Sequence, residues 1–391
     1  SVAAAALDVI GRACGVANFQ EESRRYLRRI YDHQADEGWY EEYGGCDPGY
    51  QTHATFYLAR LWQQTRDPEL LESLRRSIAF LKYFIHPNAT LGGEYGSRNT
   101  EIYFPAGFEI LAPEIEDAAL IAGFMRSSFG ERSGTDLQKM DAYNFLPLLN
   151  SYLFAEKHAL VLSPGKESLP FQKEVEAYFD DAGILVKSTS TQYYIFGLSK
   201  GGVIKAYDKE TEKLVLSDCG YWGRLAGDRT ISSQSLCRPG MWEKKNNAIT
   251  VETDFVHVNQ RFLSTRIFIG FRLFILTLGR LPVISIWLKN LLVFLLVRRR
   301  KKAPLQLQRS IRIETEGVKV VDRIKKTGGV KVASLKAGSK FSSIHMGSSR
   351  YFHRQELDPP MDSSQDWSEE LEDNSTIVIK RMLSLGGNND H

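Results

Sequence analysis

Cysteine is scarce in this chain. The four residues present, Cys14, Cys46, Cys219 and Cys237, form neither a CxxC pair nor a regular ladder, so no disulfide scaffold is expected and no redox compartment follows. An excess of one charge is lacking too. Against 50 Lys and Arg stand 47 Asp and Glu, and a net charge of +3 makes no case for a nucleic-acid partner. The 8 histidines are scattered without ligand spacing, so neither a metal centre nor a cofactor is expected. "SKGG" and "GGEYGS" lack the strand–GxxxxGK[ST]–helix context of a phosphate loop, and no nucleophile elbow occurs. Ser1 is not an initiator Met, and no charged-then-apolar leader follows it. The chain is therefore expected to be processed or part of something longer.

What is present suffices for two folded units. The chain has 391 residues, 43% hydrophobic and 25% charged, ordinary values for packed domains. The first part reads as helices. "EESRRYLRRIYDHQ" sets Tyr26, Leu27, Ile30 and Tyr31 on one face. Asp67 followed by Pro68 is a cap and first-turn proline ahead of an apolar stripe, Leu70 to Ile85. Asp47-Pro48 repeats that start, predicting a helix to about Gln64, and Pro105 can open another. From about residue 183 the period becomes two, with turns predicted at Ser199–Gly202 and Asp208–Thr211. Helices first and strands afterwards imply an α+β chain with separate layers, not alternating βαβ units.

The chain also repeats itself. "EYGGCDPGYQTHATFYLARL" begins at Glu42 and "EYGSRNTEIYFPAGFEILA" at Glu94. Tyr43 and Tyr95, like Glu42 and Glu94, are 52 residues apart (95 − 43 and 94 − 42), a period that suits stacked helical hairpins. Equivalent loops then fall on one rim, and the two EYG loops are expected side by side at the mouth of a cleft. Seven of the 17 tyrosines fall between residues 40 and 103, clustered around these loops. Amphipathic rings beside Glu, Gln, His, Arg and Asn suit a carbohydrate cleft, where rings stack on sugar C–H faces and polar groups read hydroxyls and carboxylates.

"GWYEEYGGCDPGYQTHATFYLA" and "GGEYGSRNTEIYFPAGFEIL", followed by a large β region, resemble the heparinase II/III-like polysaccharide lyases. The resemblance implies helical hairpins from the C-terminal part of an (α/α) toroid over residues 1–170. An antiparallel β-sandwich domain would follow over 171–391, interrupted by an apolar, basic-flanked insertion at 262–302. It implies that Gln51 and His53, at the start of a helix, meet a uronate carboxylate. It also implies that Tyr103, five residues after Arg98, moves protons. The family's His-rich strand is matched by "STQYYIFGLSKGG", which has no His and offers only Tyr193 and Tyr194.

β-Elimination removes the C5 proton of a uronate and expels the C4 oxygen. Neutralising the carboxylate makes that proton acidic, a task for Gln51, His53 and a bidentate Arg98. A tyrosine beside positive charge can then serve as base and acid, Tyr103 by preference and Tyr50 second. Glu42, Tyr43, Tyr50, Glu94, Tyr95, Asn99 and Trp39 are expected to line the binding surface for an acidic polysaccharide. The rival expectation is an epimerising or non-catalytic glycan-binding protein of envelope or exopolysaccharide assembly, and the missing strand histidine favours the non-catalytic form.

One stretch does not fit the β pattern. Ile267 to Val297 is apolar but carries Arg272, Arg280 and Lys289, with Gly279 and Pro282 dividing it and Arg298–Lys302 following. The pieces are short for a span of about 20 residues. They suit an interfacial or re-entrant pair in contact with a membrane surface, or else buried helices; the first is expected, and with it a location at the cell envelope or peripheral to the membrane.

Overall fold

The computed structural model describes residues 1–126, 142–159, 168–237, 239–245, 248–258, 265–277, 281, 284, 287, 288, 301–341 and 365–385. Most of the apolar insertion and its basic cluster therefore lies outside the described residues.

The chain is α+β, helices before antiparallel sheets. Seven helices come first: α1 (Val2–Cys14), α2 (Ala17–Asp32), α3 (Pro48–Thr65), α4 (Pro68–Leu81), α5 (Ala106–Leu111), α6 (Glu116–Arg126) and α7 (Ala142–His158). The two cap-then-proline signals hold. The Asp47 side chain accepts from the Tyr50 amide and opens α3, and that of Asp67 accepts from the Glu69 amide and opens α4. The helices form two rows. α1 packs on α3, α3 on α5 and α5 on α7, while α2 pairs with α1, and α4 and α6 lie behind α3 and α5. Among the described residues these rows make two layers; they do not display a closed toroid.

Thirteen strands follow among the described residues. β1 (Val175–Phe179), β2 (Ile184–Ser188), β3 (Gln192–Gly197), β4 (Val203–Asp208) and β5 (Lys213–Asp218) form an antiparallel meander in chain order. Its central strands β2, β3 and β4 are buried on both faces. Ile184, Val186, Tyr193, Ile195, Val203 and Tyr207 join the core of the helices. Their alternates Leu185, Tyr194, Phe196, Ile204 and Ala206 pack on the second sheet. The second sheet comprises β6 (Tyr221–Leu225), β7 (Arg229–Ser232), β8 (Trp242–Lys245), β9 (Ala248–His257), β10 (Lys302–Glu314), β11 (Gly317–Lys326), β12 (Val332–Ala337) and β13 (Thr376–Ser384). Its main path runs β12-β6-β7-β9-β10-β11-β13, with β8 also on β9. Along β10, Leu305, Leu307, Arg309 and Ile311 are buried and alternate with exposed Gln306, Gln308 and Arg312.

Arg309 sits between the two apolar clusters of this sheet. It pairs with Asp322 at 2.8 Å and Asp218 at 3.0 Å, and Arg381 closes on the same two carboxylates at 3.0 and 2.7 Å. Two cations and two anions, all but Arg381 fully buried, balance one another.

Candidate functional site

The site is built where the two EYG loops meet the start of α3. In the first loop Tyr43 has φ +54° and Gly44 φ +89°, so the turn holds a bulky residue in the left-handed region, a strain that marks constrained sites. The loops are bonded directly. The Ser97 amide donates to the Cys46 carbonyl at 2.8 Å and the Ser97 hydroxyl to the Glu42 carbonyl at 2.6 Å. Asp47 caps α3 and also accepts from the Arg98 amide at 2.8 Å. Gly49 allows this approach, since a Cβ there would lie 2.1 Å from the Thr100 carbonyl oxygen. Lys200, fully buried in the turn after β3, donates to the Gly96 and Ser97 carbonyls at 3.0 Å each.

On this base five of the expected residues come together. Arg98 is 2% exposed, its Nη1 lies 2.6 Å from Glu42 Oε1, and its guanidinium carbon stands 4.1 Å from the Tyr50 ring centre and 5.0 Å from that of Tyr43. Tyr50, His53 and Tyr57 fall at i, i+3 and i+7 on one face of α3. His53 stacks on Tyr50 at 5.2 Å and meets Tyr57 and Phe104 edge-on at 4.9 and 4.8 Å. Its buried Nδ1 has no hydrogen-bond partner among the described residues. Burial, with positive neighbours including Arg98, pushes its pKa down to about 4, so the ring is neutral at pH 7. Burial raises the Glu42 carboxyl and Arg98 pulls it back down. Beyond Tyr57, Arg60 and Gln64 continue the stripe into a groove against α1 of about 250 Å³.

The other expected residues are placed elsewhere. Gln51 is in phase with Thr55, Leu58 and Trp62 on the buried side of α3, where its amide nitrogen donates to Ser77 Oγ at 2.7 Å and its oxygen accepts from the Tyr40 amide at 3.4 Å. It braces α4 and is not available to a carboxylate in the cleft. Tyr103 is 1% exposed with its ring tilted against Phe108 at 5.3 Å, and its hydroxyl has no partner among the described residues. Burial raises its pKa well above the usual value, and Glu109 adds to the rise, the reverse of what a base requires. Glu94 and Tyr95 repeat Glu42 and Tyr43 in sequence but face the first sheet. Glu94 pairs with Lys205 of β4 at 2.7 Å, and the Tyr95 hydroxyl meets His86 Nε2 at 2.8 Å. Trp39 donates to Glu37 at 3.0 Å, and the same carboxylate receives the Asp181 and Ala182 amides. Asn99 reaches Gln234 at 3.3 Å.

Asp47, Tyr57, Lys200 and Lys205 belong to the site or its support, and the motif reading missed those roles. Lys205 carried a signal, because it shares the parity of Val203 and Tyr207 on an otherwise apolar strand. Tyr193 and Tyr194 do not reach the cleft. The Tyr193 hydroxyl donates to the Tyr83 carbonyl at 2.5 Å, and Tyr194 lies in the core between the sheets. Among the described residues no three His, Cys, Asp or Glu side chains gather as metal ligands.

No family model matches the chain, and no curated protein matches it. Among solved structures it is similar to a heparinase III, the BT4657 gene product, at 12% identity and a TM-score of 0.41, over 82% of this chain and 43% of that one. It is also similar to a 4-alpha-glucanotransferase from Thermococcus litoralis at 8% identity and a TM-score of 0.29, over 74% of this chain and 43% of that one. The chain thus spans less than half the length of either. At that depth of likeness, chemistry has to be read from the residues themselves.

Proposed function

We propose that the chain is a carbohydrate-active protein that takes a uronic-acid-containing polysaccharide along the Tyr43–Tyr50–His53–Tyr57 face and cleaves it by β-elimination. The observation that carries this reading is the buried Arg98 guanidinium over Tyr50, with neutral His53 stacked on the same ring. Arg98 shares its charge between Glu42 and the uronate carboxylate, which lowers the cost of the carbanion at C5. The Tyr50 phenolate takes the C5 proton, the C4–O bond breaks as the C4–C5 double bond forms, and the phenol so formed gives that proton to the leaving oxygen, which restores the phenolate. The His53 ring, neutral at pH 7, offers its Nδ1 to a sugar hydroxyl. Tyr103 is replaced in this scheme by Tyr50, and Gln51 has no part in it. The toroid and β-sandwich of the heparinase-like reading remain part of the same proposal.

A binding-only or epimerising protein is the second reading. It is favoured by one observation: neither tyrosine of the strand that replaces the family's His-rich strand comes to Arg98. Incubation with a panel of uronate polysaccharides in heavy water separates these readings. A lyase yields unsaturated uronate and new chain ends, whereas an epimerase exchanges deuterium into C5 at constant chain length. A polymer that is retarded in an affinity gel without either change makes the protein a binder.

A further inference from the structure

The connection between β9 and β10 leaves the second sheet and returns to it at neighbouring rungs. Val256 faces Lys302, and the His257 amide donates to the Lys301 carbonyl at 2.9 Å. Inside this excursion lies α8 (Thr265–Leu276), which has no extended packing partner among the described elements. Ile269, Leu273 and Leu276, at i, i+4 and i+7, are 54%, 59% and 52% exposed, and Trp287 beyond the helix is 64% exposed. Such apolar exposure on successive turns needs a cover. The helix of 12 residues is about 18 Å long against a hydrocarbon core of about 30 Å, and no described helix is long and apolar enough to cross a membrane.

Charge identifies the cover. From Val258 to Lys302 the sequence holds ten Arg or Lys and no Asp or Glu. Arg266 and Arg272 are exposed on α8, and Arg229, Lys301 and Lys302 are exposed at its root. At that root Lys302 pairs with Asp254. A second copy would bring the same positive field against itself, whereas an anionic bilayer supplies both the missing negative charge and an apolar layer of the right depth. We propose that α8 and its basic root dock the protein in the headgroup region of an anionic lipid bilayer, apolar side chains inward, without spanning it.

Flotation of the intact chain with vesicles of phosphatidylcholine alone, or mixed with phosphatidylglycerol, tests this. The chain should float with the mixed vesicles, far less with the neutral ones, and less again as salt is raised. Arg266→Gln with Arg272→Gln should lower partition to the mixed vesicles about 30-fold. Ile269→Gln, Leu273→Gln and Leu276→Gln together should abolish flotation and leave the melting temperature unchanged, because none of the three side chains belongs to a core cluster. The proposal is overturned by a wild-type chain that stays at the bottom with mixed vesicles. It is equally overturned by a triple variant that still floats, or by a wild-type dimer that the triple variant dissociates without any flotation having occurred.

Discussion

At the scale of single residues, two tyrosines 53 positions apart (103 − 50) divide the chemistry. Tyr50 lies under Arg98 and beside His53, and Tyr103 lies in the core with an unpartnered hydroxyl. On the proposed reaction, Tyr50→Phe should lower turnover on a cleaved polymer by at least about 10²-fold with binding retained. Tyr103→Phe should leave turnover unchanged and raise stability by up to about 1 kcal/mol, since a buried hydroxyl without a partner is a desolvation cost. Rates and urea midpoints of the two variants check both, and loss of activity in Tyr103→Phe alone would restore the sequence-based choice. Helix phase held part of this answer. Gln51 repeats with Thr55, Leu58 and Trp62, all buried, while His53 repeats with Tyr50 and Tyr57. What no local pattern held was the destination of Tyr103, which depends on the packing of α5.

At the scale of elements, the duplicated loops carry one motif to two ends. Their adjacency and the helix after the first were legible, because the Asp47-Pro48 start and a 52-residue period are local signals. Which copy faces the cleft was not, because Lys200 and Lys205 decide it from more than a hundred residues downstream. Asp47→Ala should remove the α3 cap and strand the Arg98 amide, costing about 2–4 kcal/mol and weakening polymer retention together. Urea titration and an affinity gel measure the two effects, and a loss under 1 kcal/mol would refute the bracing role. The second loop also joins a buried histidine. His86 Nδ1 meets the Thr90 hydroxyl at 2.7 Å and the Tyr207 hydroxyl at 3.0 Å, and burial pushes its pKa down to about 3, with Lys205 adding. The unfolded chain takes up that proton near pH 6.5, so its contribution to stability is complete above that pH and is lost as pH falls toward 3. Between pH 6 and 4.5 the native chain should therefore lose about 1.4 kcal/mol per pH unit more than His86→Gln, and equal slopes would refute the assignment.

At the scale of the whole molecule, the first sheet serves as the middle layer. Its two faces share cores with the helices and with the second sheet, so neither neighbour can open without exposing it. Calorimetry of the intact chain should give one transition for helices and first sheet together, and two resolved transitions would contradict the shared core. Period-two patterning made the strands of that sheet legible. It did not reveal the Arg309, Arg381, Asp218 and Asp322 quartet, whose members come from the neighbouring strands β10, β11 and β13 of the second sheet and from the end of β5 in the first. The neighbouring rungs at Val256 and Lys302 have a consequence for how this fold accepts change. Because departure and return are adjacent, the closure entropy of whatever lies between grows only with the logarithm of its length, about 0.6 kcal/mol per doubling. The position is thus a socket: residues 259–300 can be exchanged for a short turn or a foreign module with the sheet intact.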